Sequence, residues 1–147
     1  MRRPKMNAFD LSHDVKFSMD MGQLVPYCAM KCVPGDIFHI SVENMLRFAP
    51  LISPVMHRIN VTTHFFFVPN RILWPDWEDW ITGESEVDHP YIELASNGTT
   101  STIYDYLGYP LEAAGSLHAD PFPVAAYARI YNEFYRDQNL VAVVDRS

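Results

Sequence analysis

The residues of this chain best suited to metal chemistry are its histidines. His57 and His64 are the closest pair, and seven positions apart on a predicted strand their side chains point to opposite faces. They therefore cannot hold one metal ion together on that strand. His39 lies on the neighbouring predicted strand, so a cupin-like metal site on His39, His57 or His64 stays open as an alternative.

The remaining signatures of catalysis are weak. Cys28 and Cys32 stand one residue further apart than the Cys-x-x-Cys spacing of redox and zinc sites, so we expect two reduced, partly buried thiols. The six glycines are isolated from one another, which excludes the glycine-rich phosphate-binding loops, and no Gly-x-Ser-x-Gly motif occurs. We assign no catalytic, cofactor-binding or metal-binding residue and expect neither a cofactor nor an enzymatic activity.

Three tryptophans close together could instead form a binding surface. Trp74, Trp77 and Trp80 fall in a predicted short helix that has Pro75 at its first position and Gly83 at its C-terminal stop. A carbohydrate-binding β-domain that uses these rings is a second alternative. The rings could equally cap the core of this chain or contact another subunit.

Composition and charge limit the class of protein. The 147 residues suit one domain, and 48% hydrophobic with 14% aromatic residues indicates a chain that folds. The net charge of -7 arises from residues 76–93, which hold seven acids and no Lys or Arg, so a broad basic nucleic-acid-binding face is excluded. The sequence has no apolar run long enough for a transmembrane helix and no signal peptide, so we expect synthesis inside the cell.

The elements that would position these residues follow from local patterns. We predict an irregular arm at 1–14, strands over 15–70, an insertion with helices at 71–139 and the start of a further strand at 140–147. A turn at 33–36 should precede a strand at 37–48, and a second strand should cover 58–68; both segments alternate with period two. The later half of the second strand is apolar on both faces, so it should be covered on both sides.

Helices are predicted within the insertion. A short one should lie near 103–107, and the strongest should run from Pro121 to about Gln138 with Asp120 as its N-cap. The residues expected to share its apolar stripe are Val124, Tyr127, Ala128, Tyr131, Phe134 and Tyr135. Residues 84–119 otherwise read as surface loops.

Four stretches carry a more specific pattern, in a fixed order along the chain. They are FDLSHDVK at 9–16 with GQLVP at 22–26; VPGD at 33–36 leading to RFAPL at 47–51; PVMH at 54–57 with HFFFVPNR at 64–71, Trp74 and Trp77; and IYNEFYRDQN at 130–139. Together they resemble the major capsid proteins of microviruses, the small icosahedral single-stranded DNA bacteriophages, and most closely those of the gokushovirus branch.

The resemblance implies a mainly β fold with helical insertions, an antiparallel eight-stranded jelly roll of the viral capsid type. It implies self-assembly into a T=1 icosahedral virion shell around a circular single-stranded DNA genome, after synthesis in the bacterial host cytoplasm. The implied partners are further copies of the chain, other virion proteins and the packaged DNA, contacted weakly and non-specifically through Arg2, Arg3 and Lys5. Members of this family are much longer, so we expect the chain to be the N-terminal part of one jelly-roll subunit.

Overall fold

The computed structural model of the chain describes residues 7–49, 53, 56–94, 102–110 and 117–145. Its helices are α1 (Asn70–Leu73), α2 (Trp77–Thr82), α3 (Ile103–Tyr106) and α4 (Phe122–Ile130), and α4 continues directly into a π-helix at Tyr131–Tyr135. Its strands are β1 (Ile92–Leu94) and β2 (Leu117–Ala119). Within the described ranges, no helix is both long and apolar enough to cross a membrane.

β1 and β2 form a two-stranded antiparallel sheet in a region predicted to be loop. Ile92 pairs with Ala119, Glu93 with His118 and Leu94 with Leu117. The expectation that residues 84–119 contain only loops apart from a short helix is therefore wrong at these two places. Each strand is three residues long, too short for an alternating pattern to stand out from its surroundings.

The turn predicted at 33–36 is confirmed, but the segments beside it do not pair as strands. Asp36 N–H donates to the carbonyl of Val33 at 3.0 Å, and Gly35 has a φ of 97°, which favours glycine. Residues 37–48 and 58–68 belong to no hydrogen-bonded ladder in the described part of the chain. Between them, the Asn44 side-chain amide donates to the Thr63 hydroxyl at 3.4 Å. The strands over 15–70 and the jelly roll stay predictions.

α2 ends where the sequence indicates. Gly83 adopts the left-handed conformation, with φ at 71°, and its N–H returns to the carbonyls of Asp79 and Trp80. The helix begins at Trp77 rather than at Pro75, because Pro75 and Asp76 form a turn before it. α3 lies within the stretch predicted for it, and the Thr102 hydroxyl accepts a hydrogen bond from Asp105 N–H at its start.

α4 supplies most of the buried core. The helix begins at Phe122 with Pro121 at the N-cap, so the predicted N-cap at Asp120 is wrong by one residue. The Asp120 carboxylate still accepts a hydrogen bond from Phe122 N–H at 3.0 Å. The buried apolar side chains among the described residues are Leu94, Phe122, Ala125 and Ala128. Leu94 of β1 is buried as well, at 7% exposure.

The expected apolar stripe of this helix is wrong in part. Only Ala128 of the predicted set is fully buried, and Phe134 is 66% exposed. The wider turn of the π-helix rotates residues 131–135 away from the line that an α-helix to Gln138 would give. After it, residues 138–141 form a turn and bend, and 142–145 have no regular structure, so the strand expected from 140 is not formed in the described residues.

Candidate functional site

The tryptophans form one aromatic cluster with His89 and Phe122, which we call the tryptophan cluster. Trp80 and His89 have the closest ring centroids, at 4.9 Å, and Phe122 lies 5.7 Å from Trp77 and 5.4 Å from His89. The rings meet at tilted or edge-on angles, the usual geometry of packed aromatic pairs. This arrangement shows that the tryptophans cover the core of this chain.

That packing bears on the carbohydrate-binding alternative. A sugar stacks on an open aromatic face, whereas Trp74, Trp77 and Trp80 are all half-buried and occupied by one another. The acids of α2 and its N-terminal turn, Asp76, Glu78 and Asp79, are exposed, as expected of a solvated surface. The geometry therefore favours a structural role for this cluster.

The histidines named for a metal site are not brought together. Among the residues that the structure describes, no group of three or more His, Cys, Asp or Glu side chains could hold a metal ion. His64 instead stacks on Tyr135 with ring centroids 5.7 Å apart, and its Nδ1 is hydrogen-bonded to the Tyr135 hydroxyl. His39 and His57 are exposed.

The apolar run at 65–68 is covered on one face only. Phe66 packs against Phe134 and Tyr135 of the π-helix, with ring centroids 5.3 and 6.2 Å apart. Phe65 and Phe67 alternate with it and are exposed, Phe67 by 79%. Phe66 therefore lies against the π-helix while it remains 41% exposed, and Phe65 and Phe67 on the other side present bare aromatic surface.

Residues 17–31 cross α3 and α4 without helix or strand, and we call them the strap. The Phe17 ring lies between Tyr27 and Tyr106, with centroids 5.9 and 5.8 Å away. Two tyrosine hydroxyls hold the strap by its backbone: Tyr106 donates to the carbonyl of Ser18 at 3.0 Å, and Tyr127 to that of Leu24 at 2.8 Å. Burial raises the pKa of Tyr127, so its phenol stays a donor.

Asp120 joins the strap to α4. Its Oδ2 lies 2.5 Å from Lys31 Nζ, while its Oδ1 accepts the N–H of Phe122. The Tyr109 hydroxyl donates to the Asp120 carbonyl at 2.5 Å. Burial, with the Asp120 charge and Tyr104 adding to it, raises the pKa of Tyr109 to about 12. The sequence pattern places Asp120 at the start of this helix but does not predict its ion pair with Lys31. No local spacing connects residues so distant in the chain.

The cysteines and the basic N-terminus complete the predicted set. Cys28 and Cys32 are free and exposed, so the expectation of partial burial is wrong; Cys28 Sγ lies 4.0 Å from His13 Nε2. Arg2, Arg3 and Lys5 lie outside the described residues.

Much of the surface is apolar and uncovered. Among the described residues, large apolar side chains remain exposed along most of the chain. Phe9, Met45 and Met56 are among the side chains left at least four-fifths exposed. A surface of this kind marks contact with further polypeptide.

These features agree with one class of protein, the phage capsid proteins. The chain belongs to the family described as capsid protein (F protein), whose model matches residues 2–146. This membership confirms the resemblance read from the four stretches.

Individual relatives agree with the family. Capsid protein VP1 of Chlamydia phage 1 is 39% identical over 149 residues, which cover 92% of this chain and 25% of that protein. Capsid protein VP1 of Bdellovibrio phage phiMH2K is 32% identical, over 92% of this chain and 27% of its own length. Capsid protein VP1 of Spiroplasma virus 4 is 28% identical, over 88% and 25%. The chain thus spans about a quarter of the length of these relatives. No solved structure matches it.

Proposed function

We propose that this chain forms part of the subunit of a T=1 icosahedral capsid, which self-assembles around a circular single-stranded DNA genome. The observation that carries the proposal is the family match over residues 2–146. Shell formation needs subunit surfaces that are stable only when covered by neighbours. The protein then resides in the virion after synthesis in the host cytoplasm.

The exposed surface supports an assembling role. Large apolar side chains such as Phe67, Met45 and Met56 lie mostly exposed among the described residues. A standard contact between proteins buries about 800 Å² per partner, and side chains of this kind supply its apolar part. Burial of apolar surface at about 25 cal/mol per Å² then drives assembly.

The subunit fold proposed is the eight-stranded jelly roll, with this chain as its N-terminal part. Residues 37–48 and 58–68 have the period-two pattern of strands, and the Asn44 side chain meets that of Thr63 at one point between them. Backbone partners from the remainder of the subunit would complete their ladders. The bare side of Phe65 and Phe67 is then the inner face of the barrel or a contact with a neighbour.

The proposed subunit is not an enzyme and uses no cofactor. Its partners are other copies of itself, further virion proteins and the packaged DNA. Arg2, Arg3 and Lys5 would meet DNA phosphates weakly and without sequence preference, because three cations release few counterions.

Assembly of the full-length protein tests this proposal. Expressed whole, it should yield particles of uniform size in electron microscopy and sedimentation velocity. Phe67→Ser removes a large exposed ring and should reduce particle yield, while His57→Ser, also at an exposed position, should leave the yield unchanged. A full-length protein that stays strictly monomeric under all conditions would contradict the proposal.

A further inference from the structure

The attachment of the strap to the helices uses few contacts. Two tyrosine hydroxyls donate to strap carbonyls, the Phe17 ring meets the Tyr106 ring of α3, and an ion pair holds the C-terminal end of the strap. Most other strap side chains, including Met19, Met21 and Met30, are exposed. A segment with so little apolar burial opens at a low free-energy cost.

The ion pair is the contact among these that dissolved salt can weaken. Asp120 is only 21% exposed, and its Oδ2 lies 2.5 Å from the ammonium of Lys31. If the strap leaves, this carboxylate loses its attraction to the Lys31 ammonium and must be hydrated instead. Lys31, at 81% exposure, remains open to dissolved ions that weaken the pair.

The helix does not depend on that pair. At the start of α4, Oδ1 of Asp120 accepts the N–H of Phe122, and α4 packs through Phe122, Ala125 and Ala128. These groups stay in place when Lys31 departs. The strap can therefore detach as a unit while the core around α4 persists.

We propose that residues 17–31 form a detachable strap, and that the Lys31–Asp120 ion pair controls its release from α3 and α4. Release uncovers the hydroxyls of Tyr106 and Tyr127, donors that the strap carbonyls otherwise occupy. Salt is the physical trigger, because it screens the exposed end of the pair. This property belongs to the chain itself and does not depend on shell assembly.

Hydrogen–deuterium exchange on the full-length protein tests the strap. In Lys31→Met, peptides within 17–31 should exchange up to about fivefold faster than in the wild type, the upper end for an ion pair with an exposed partner. Lys16→Met is the matched control, because Lys16 pairs with Asp14 at 3.9 Å where both side chains are more than four-fifths exposed. Its strap should exchange like that of the wild type.

Two further measurements distinguish release of the strap from general destabilisation of the fold. Asp120→Asn removes the charge but keeps an oxygen that can accept the N–H of Phe122, so it should free the strap and leave exchange in 122–135 unchanged. Raising NaCl from about 0.05 M to about 1 M should speed strap exchange in the wild type but not in Lys31→Met. Equal rates of strap exchange in Lys31→Met and Lys16→Met would overturn the proposal. Faster exchange of α4 together with the strap, in both Lys31→Met and Asp120→Asn, would also overturn it.

Discussion

Phe122 is the residue whose loss should damage this fold most. Its side chain is 9% exposed, and its ring lies 5.4 to 6.2 Å from those of His89, Trp77 and Trp74. A phenylalanine of about 200 Å² buried to this extent is stabilised by roughly 4.5 kcal/mol at 25 cal/mol per Å². Phe122→Ala should therefore lower the free energy of unfolding by about 3 to 5 kcal/mol.

The assay is urea unfolding of the full-length protein, followed by tryptophan fluorescence, because the indoles touch the mutated ring. Phe134→Ala is the matched control, because the chemical change is the same at a ring that is 66% exposed. Among the described residues, this ring packs on that of Phe66. About a third of its surface is buried, so the loss should stay below about 2 kcal/mol. Equal losses in the two variants would refute the assignment of the core to the contact between α4 and the tryptophan cluster.

Three other perturbations have defined outcomes. Gly83→Ala forces a side chain into the left-handed region, and with open space around the new methyl the cost is backbone strain alone, about 1 kcal/mol in urea unfolding. The pKa of Tyr109 is raised to about 12 from 10.0, so its contribution to stability is complete below pH 10 and is lost as the pH rises through about 12; Tyr109→Phe should flatten that alkaline decline in unfolding midpoint. The Asn132 side chain donates to the Val144 carbonyl at 2.8 Å and accepts from its N–H at 2.9 Å. Asn132→Ala should therefore expose 141–145 to limited proteolysis while leaving α4 protected.

Local signals in the sequence predicted the features that depend on neighbouring residues. The turn at 33–36, the stop of α2 at Gly83 and the carboxylate contact of Asp120 at the start of α4 all follow from residues within four positions of one another. Each is decided by backbone sterics or by a single short-range hydrogen bond. Turns and helix ends of this kind can therefore be predicted from the sequence alone.

Features that depend on distant residues were not predictable in this way. β1 and β2 are short, the π-helix starts inside an unbroken helical pattern, and Lys31 meets Asp120 only because the strap crosses α4. The period-two pattern at 37–48 and 58–68 indicates strands, yet strands need backbone partners that the described residues do not provide. The alternating pattern allows a segment to pair as a strand, and the rest of the fold decides whether a partner strand lies beside it.

The way the two tyrosines hold the strap has an evolutionary consequence. Tyr106 and Tyr127 bind the carbonyls of Ser18 and Leu24, and every amino acid, proline included, presents a carbonyl. Substitution at Ser18 or Leu24 can therefore accumulate without loss of these contacts, while each tyrosine hydroxyl is irreplaceable by phenylalanine. The strap can thus diversify its outward side chains under new selection while its place on the helices is inherited unchanged.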